Sequence, residues 1–148
     1  MQTVGQLLKI KGTEVFSVGP QDSVLHAIEV MATRHVGALL VMSQGSLVGI
    51  ISERDYARKV ILKNRSSHDT PVGDIMTASP VSVAPEDTVH HCMQLMTEGR
   101  FRHLPVVNDS GKLLGILSIR NLLEWRIDGL TQELDSLEHY VSNDGPGG

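Results

Sequence analysis

An internal repeat constrains this chain more than any other feature of its sequence. The segment from Ser17 to His26 matches the segment from Ser82 to His91 at a shift of 65 residues, sharing Ser, Val, Pro, Asp, Val and His. After one inserted residue, 45–54 matches 111–120. A solenoid array needs about three or more units for stability, so a unit seen twice is not such an array. We therefore expect two similar halves folded against each other, with a pseudo-twofold cleft between them.

Composition limits the class of protein. The chain has 148 residues, 41% of them hydrophobic, which is enough for one ordinary core. A net charge of −4 and a pI near 5.9 disfavour a nucleic-acid partner, which requires a basic surface. The sequence has no apolar run near the roughly 20 residues of a membrane span, and 1–12 lacks a signal-peptide core. We expect a soluble cytoplasmic protein, or an organelle-matrix protein if a transit peptide has been removed.

Both halves have the same predicted order of elements, β-α-β-β-α. Short strands are expected at 15–18 and 80–83, each followed by a helix. Asp22 and Asp87 are the predicted helix N-caps, and the helices should end near Arg34 and Gly99. Gly-containing turns then predict two hairpins, with strands at 38–42, 47–51, 104–107 and 113–117.

The expected fold class is α+β, with two subdomains and a C-terminal helix. The predicted segments are repeat 1 at 13–64, a linker at 65–77, repeat 2 at 78–127 and an amphipathic helix at 128–142. Leu130, Leu134, Leu137 and Val141 recur at spacings that place them on one helix face. That face must be buried, either on the chain itself or on a neighbour. Residues 143–148 are expected to be disordered.

Several sequence motifs resemble those of a known family. Each half has a similar motif after its second hairpin strand begins, the closing motif, which is Gly49-Ile50-Ile51-Ser52-Glu53-Arg54-Asp55 in the first half and Gly115-Ile116-Leu117-Ser118-Ile119-Arg120-Asn121 in the second. With Phe101-Arg102-His103-Leu104-Pro105-Val106 and Asp74-Ile75-Met76-Thr77, they resemble a tandem pair of CBS domains, the module named after cystathionine β-synthase. The resemblance covers about 13–127. It implies a disc-like module whose cleft binds an adenosine-containing ligand such as AMP, ATP, NAD or S-adenosylmethionine, and it implies a homodimer.

The side chains of the closing motif at 49–55 are suited to binding a nucleoside. A carboxylate such as Asp55 can accept hydrogen bonds from both hydroxyls of a ribose. Ser52, where a strand enters a helix, can add a hydroxyl contact and free amide donors near a phosphate. The alternative is that Ser52 only caps the helix and Asp55 completes its first turn.

The two halves differ in a way that predicts one preferred site. The resemblance implies that the ribose on Asp55 directs its phosphate toward Arg102 and His103, which can both donate to it. The matching residues of repeat 1, Gly37 and Ala38, carry no charge. For the base we favour Ser79, Pro80, Val81 and Phe101, although each also has a plain role in a strand or core. The predicted ligand-binding residues are Ile50, Ser52, Arg54, Asp55, Ser79, Pro80, Val81, Phe101, Arg102, His103 and Pro105.

A second, weaker candidate site comprises Val15, Ile116, Ser118 and Asn121. Asn121 replaces the family aspartate, and an amide accepts hydrogen bonds less strongly than a carboxylate. Arg54, Arg58 and Arg100 fit either phosphate contacts or solvated surface charge, and from sequence the second interpretation is favoured.

Two other kinds of site are disfavoured. His90, His91 and Cys92 are metal-ligand types, but adjacent helical residues point in different directions. Ser52 with His103 lacks a nucleophile elbow and an orienting acid, so catalysis is not expected. Cys92 is the single cysteine, which excludes an internal disulfide and favours a buried thiol.

The sequence therefore predicts a non-catalytic sensor that binds an adenine nucleotide, with AMP or NAD(H) favoured and ATP as a further option. No catalytic residue, catalytic cofactor or metal site is predicted. A regulated protein partner is compatible with such a module. The alternative is a constitutive protein-interaction scaffold with a vestigial nucleotide site.

Overall fold

The computed structural model describes the backbone of residues 2–144 and the side chains of residues 2–138. The α+β class is confirmed, as is the repeated β-α-β-β-α order apart from the strand expected at 80–83. The elements in chain order are α1 (Val4–Lys11), β1 (Ser17–Val18), α2 (Val24–Arg34), β2 (Ala38–Ser43), β3 (Ser46–Ser52), α3 (Glu53–Tyr56), a π-helical turn (Ala57–Ile61), α4 (Val72–Ile75), β4 (Thr77–Ala78), α5 (Val89–Gly99), β5 (His103–Val107), β6 (Leu113–Ser118) and α6 (Ile119–Asp144).

Each repeat is built around a hairpin. In repeat 1, β1 pairs in parallel with β2, β2 pairs antiparallel with β3, and β4 from the linker adds antiparallel to β3. In repeat 2, β5 and β6 form an antiparallel pair. The hairpins and the ends of α2 and α5 lie where the sequence predicts them.

The strand predicted at 80–83 is wrong, because only Val83 pairs with the sheet, in a parallel bridge to Val106. The cause is Pro105. In repeat 1, Leu40 donates its backbone N–H to the Phe16 carbonyl and so extends the ladder beyond Ser17. Pro105 occupies the equivalent position and has no N–H to donate, so the ladder ends at Val83. The residues before Val83 are thereby left outside the sheet.

The predicted N-caps are wrong by one residue. Ser23 and Thr88 cap α2 and α5 through their hydroxyls, which accept from the N–H groups of His26 and His91. Asp22 instead accepts from the Gly19 N–H, and Asp87 does the same for Ala84, so each carboxylate closes the preceding turn. Both residue types satisfy backbone donors at a helix start, which makes the sequence signal ambiguous by one position.

Each repeat is completed by the helix that precedes the other repeat. Helix α1 packs on repeat 2, where Val4 donates to the Asp87 carbonyl, and α4 packs on repeat 1, where Val72 donates to the Asp22 carbonyl. Val4, Leu7 and Leu8 belong to the core of repeat 2, while Val72 and Ile75 belong to the core of repeat 1. This exchange ties the two halves together, and the sequence did not predict it.

Helix α6 is longer than the helix predicted at 128–142, because it runs without a break from the end of β6. Of the six residues expected to be disordered, Asn143 and Asp144 are helical, and 145–148 lie outside the described residues. Leu130, Leu134 and Leu137 are exposed by 42%, 59% and 61%. The side chain of Val141 lies outside the described residues. Leu130, Leu134 and Leu137 are therefore not buried on the chain itself.

Candidate functional site

A cleft of about 600 Å³ lies where repeat 1, the linker and repeat 2 meet. Repeat 1 contributes Gly37 and the end of β3 with the following helix, the linker contributes Thr77, and repeat 2 contributes the segment 79–81 and the loop between α5 and β5. The lining residues are Gly37, Ile50, Ser52, Glu53, Arg54, Asp55, Arg58, Thr77, Ser79, Pro80, Val81, Gly99, Arg100, Phe101, Arg102 and His103.

Ser52 and Asp55 form a reciprocal capping box at the start of α3. The Ser52 hydroxyl accepts from the Asp55 N–H at 3.2 Å and donates to Asp55 Oδ2 at 3.1 Å, and Oδ2 also accepts from the Ser52 N–H at 3.0 Å. The capping role that the sequence left open is thus present, in residues that also line the cleft. Because Oδ2 has two partners within the cap, Oδ1 is the oxygen left to accept from a ligand.

Lys59 forms an ion pair with Oδ1 of the Asp55 carboxylate. Its ammonium lies 3.1 Å from Asp55 Oδ1 and donates to the Ile75 carbonyl at 2.9 Å. Lys59 belongs to the π-helical turn, a feature that is frequent at functional sites. The side chain therefore links the Asp55 carboxylate to α4, the helix that leads into the linker side of the cleft.

The apolar wall of the cleft is formed by hydrophobic residues that are not fully buried in either core. Val81 is 48% exposed, in the segment that Pro105 leaves outside the sheet. Phe101 packs on the edge of the repeat 2 core and faces the cleft with part of its surface. A Cβ at Gly99 would overlap the Phe101 ring, so glycine is needed there for the ring to lie against the backbone. This wall can take the flat face of a base.

The lining of the cleft also includes four arginines and a histidine. Arg54, Arg58, Arg100 and Arg102 are exposed, and His103 is half-buried at the start of β5. Burial, and secondarily the neighbouring Arg102 guanidinium, lower the pKa of His103 below its usual value. His103 is therefore neutral near pH 7 in the free protein and can still donate one N–H.

The structure brings ten of the eleven predicted ligand-binding residues to this one cleft. The exception is Pro105, which is buried in β5 and acts on the cleft indirectly by ending the ladder at Val83. Gly37, Glu53, Thr77 and Gly99 line the cleft but were not predicted as ligand residues. Gly99 contributes by lacking a side chain, and in the sequence only its position two residues before Phe101 could have indicated it.

The residues of the second candidate site do not line this cleft. Val15 lines a separate groove of about 480 Å³ beside α2, and Ile116, Ser118 and Asn121 line neither that groove nor the cleft. Asn121 forms the same cap as Asp55, since its Oδ1 accepts from the Ser118 N–H and hydroxyl, both at 2.9 Å. The remaining polar atom of Asn121 is its Nδ2, which can only donate.

Other chemistry is sparse in the described part of the chain. Among residues 2–138, no three or more His, Cys, Asp or Glu side chains are grouped so that they could hold a metal ion. Cys92 is a free thiol buried in the core of repeat 2, as predicted, and burial raises its pKa to about 11. No helix in the described range has the length and apolar character needed to cross a bilayer.

Comparison with known proteins identifies the family. The family model for the CBS domain matches residues 7–62 and 72–128, and the chain belongs to the CBS-domain family as a tandem pair. A mitochondrial CBS domain-containing protein of Arabidopsis thaliana, CBSX3, is 39% identical over 148 residues, which is 94% of this chain and 71% of CBSX3.

Solved structures agree with this assignment. A putative signal-transduction protein with CBS domains from Burkholderia ambifaria is 47% identical, with a TM-score of 0.82, over 86% of this chain and 95% of that one. CBSX2 of Arabidopsis thaliana, solved in complex with AMP, is 31% identical, with a TM-score of 0.68, over 86% of this chain and 98% of that one. CBS-pair proteins are in general regulatory modules.

Proposed function

We propose that the chain is a non-catalytic regulatory module that binds an adenine nucleotide in the cleft between its repeats. The observation that carries this is the convergence in one cleft of a carboxylate acceptor, Asp55, an apolar wall at Val81 and Phe101, and hydrogen-bond donors at the Arg102 guanidinium and the His103 ring. These three features match a ribose, a base and a phosphate in turn. The complex of the relative CBSX2 with AMP supports the same ligand class.

In this proposal the ribose hydroxyls donate to Asp55 Oδ1, the oxygen that the cap leaves available. Lys59 lies beside that oxygen and compensates its charge before the ligand arrives. The 5′-phosphate lies toward Arg102 and His103, from the other repeat. A ligand held by both repeats links them, so binding can change how the module engages a partner. The predicted cytoplasmic or organelle-matrix location belongs to this proposal as well.

Thermal unfolding with a ligand panel tests the function. AMP, ATP, NAD and S-adenosylmethionine should raise the melting temperature of the wild type, because a ligand that binds only the native state stabilises it by mass action. Guanosine monophosphate and free ribose 5-phosphate serve as controls for base and phosphate alone. If no member of the panel moves the melting temperature at millimolar concentration, the scaffold with a vestigial site replaces the sensor.

The homodimer is the second part of the proposal, and the exposed face of α6 supports it. Ile119, Leu123 and Ile127 are exposed large apolar residues, and they continue the row of Leu130, Leu134 and Leu137 toward the helix start. From Leu123 onward the spacings alternate between four and three residues, the 3.5-residue period of a helix pair. A second copy offers the same row, so the two faces can cover each other about a twofold axis.

Light scattering tests the dimer. The wild type should have a mass near twice 16.1 kDa. Leu130→Lys with Leu134→Lys should give monomer, whereas Gln132→Lys with Ser136→Lys adds the same charge at exposed polar positions of the same helix and should keep the dimer. A monomeric wild type at tens of micromolar would overturn this part while leaving the nucleotide site untouched.

A further inference from the structure

We infer that the cleft selects adenine nucleotides with a polyphosphate chain, such as ATP, over AMP. The inference rests on the proposed function and concerns the number of phosphates that the site accommodates. Its basis is the distribution of arginine. The chain has eight arginines, and four of them line this one cleft: Arg54, Arg58, Arg100 and Arg102.

These four arginines have no ion pair among the described residues, whereas three of the other four arginines, Arg34, Arg65 and Arg120, have an aromatic or acidic partner. In the described residues the ion pairs join Lys59 to Asp55, Arg65 to Asp74 and Arg120 to Glu124, and none includes an arginine of the cleft. Arg34 lies over the Phe16 ring, 5.0 Å from its centroid. The acids of the cleft lining are Glu53 and Asp55, and Asp55 is already paired with Lys59. The lining is thus net positive in a chain whose net charge is −4.

Such a cluster has an electrostatic consequence. Guanidinium groups remain charged at any ordinary pH, so the arginines of one cleft repel each other until an anion lies among them. A phosphate monoester carries about −1.5 to −2 charges near pH 7, which a pair of arginines can balance. In the proposed pose Arg102 and His103 already meet the first phosphate. Arg54, Arg58 and Arg100 then remain, and each further phosphate of a polyphosphate chain supplies oxygens for their forked donors.

The position of the arginines on both repeats supports an extended anion. Arg54 and Arg58 lie one turn apart on the continuous helical stretch of α3 and the π-helical turn, and Arg100 lies in the loop after α5, so positive charge reaches the cleft from both repeats. One phosphate presents its oxygens at a single point, whereas a chain of phosphates presents them along several ångströms. The cleft, at about 600 Å³, falls within the range of pockets that hold such ligands.

Calorimetric titration of the full chain with AMP, ADP and ATP, with and without magnesium, tests the inference. We expect affinity to rise from AMP to ATP, by at least tenfold in total, and to fall more steeply with salt for ATP. In the variant Arg54→Gln/Arg58→Gln/Arg100→Gln, ATP should bind at least tenfold more weakly, and its loss of affinity should exceed the loss for AMP by at least threefold. The control variant Lys63→Gln/Lys112→Gln/Arg126→Gln removes the same charge at exposed positions outside the cleft and should leave both affinities within twofold.

Two results would overturn the inference: AMP binding as tightly as ATP, or the cleft variant weakening both nucleotides equally. Inorganic tripolyphosphate separates this failure from a failure of the proposed function. Binding of ATP and tripolyphosphate with equal affinity, without any binding of AMP, would retain the polyanion preference and overturn the nucleotide site. Absence of binding by all three nucleotides would overturn both.

Discussion

Ser52 and Ser118 begin helices at equivalent points in the two repeats, and each is held by the same three hydrogen bonds. The partner is Asp55 in repeat 1 and Asn121 in repeat 2. In both cases one side-chain oxygen accepts the hydrogen bonds of the cap, Oδ2 of Asp55 and Oδ1 of Asn121. What remains is a carboxylate oxygen in repeat 1 and an amide donor in repeat 2, so the conserved geometry serves folding and the remaining atom determines what can bind.

The difference extends along the same helix face. Lys59, which contacts the free oxygen of Asp55, corresponds to Trp125 in repeat 2, where no carboxylate needs a counter-charge. On the other side of the cleft, Arg102 of repeat 2 corresponds to Gly37 of repeat 1. One cleft therefore combines the Asp55 carboxylate of repeat 1 with the Arg102 guanidinium of repeat 2. The complementary arrangement would combine the Asn121 amide with Gly37. A pseudo-symmetric fold thus yields one charged site.

Removal of the two capping side chains should have the largest and most unequal effect on nucleotide affinity. Asp55→Ala removes an ionised acceptor whose hydrogen bond is worth about 1.5–3 kcal/mol, so binding should weaken at least tenfold by calorimetric titration. Asn121→Ala removes a cap of the same geometry and should reduce stability to a similar extent with little change in affinity. Equal losses of affinity in the two variants would contradict the asymmetry between the repeats.

Loss of the lysine beside Asp55 should have an intermediate effect. Lys59→Met keeps an unbranched side chain that is one atom shorter but removes the ion pair to Asp55 Oδ1, so the carboxylate loses a constraint on its orientation. We expect AMP and ATP affinity to fall about three- to tenfold, equivalent to about 0.7–1.4 kcal/mol. The preference for AMP over 2′-deoxy-AMP should shrink in the same variant. Lys63→Met, at an exposed position nearby, is the control, and tighter binding by Lys59→Met would show that Lys59 competes with the ribose instead.

The smallest expected effect is that of pH. His103 has a lowered pKa in the free protein, and a bound phosphate would raise it, so protonation and binding favour each other. Affinity should therefore rise as pH falls between the pKa of His103 in the complex and its lower pKa in the free protein. The lower end of this pH range lies below the usual histidine pKa of about 6.5. Titrations from about pH 8 to pH 5.5 measure this. His103→Gln keeps a donor and should remove the rise, and a profile unchanged by that substitution would assign the titration to another group.

The sequence predicted the repeat architecture well because the repeat doubles every local signal. Each hairpin and each helix end is indicated twice, which removes ambiguity that a single copy would leave. What it missed depends on contacts between distant segments. Val4, Leu7 and Leu8 form too short a pattern to reveal that α1 completes the core of repeat 2, and the effect of Pro105 on 80–83 depends on which residue it faces across the sheet.

The residues of the candidate site were predicted individually from the closing motifs and the family resemblance. Ten of those eleven residues line the cleft, but the sequence could not rank the roles of the arginines. Whether Arg54, Arg58 and Arg100 have acidic partners is a property of the fold. Lys59 was missed for the same reason, since a lysine four residues after an aspartate is common on helix surfaces.

We propose that each chain has one nucleotide site, built from Asp55 of one repeat and Arg102 of the other. Isothermal titration of the wild type with AMP and with ATP measures the number of sites directly. We expect one nucleotide per chain with a dissociation constant below about 1 mM. Two equivalents of similar affinity per chain, or no heat of binding for either nucleotide, would contradict it.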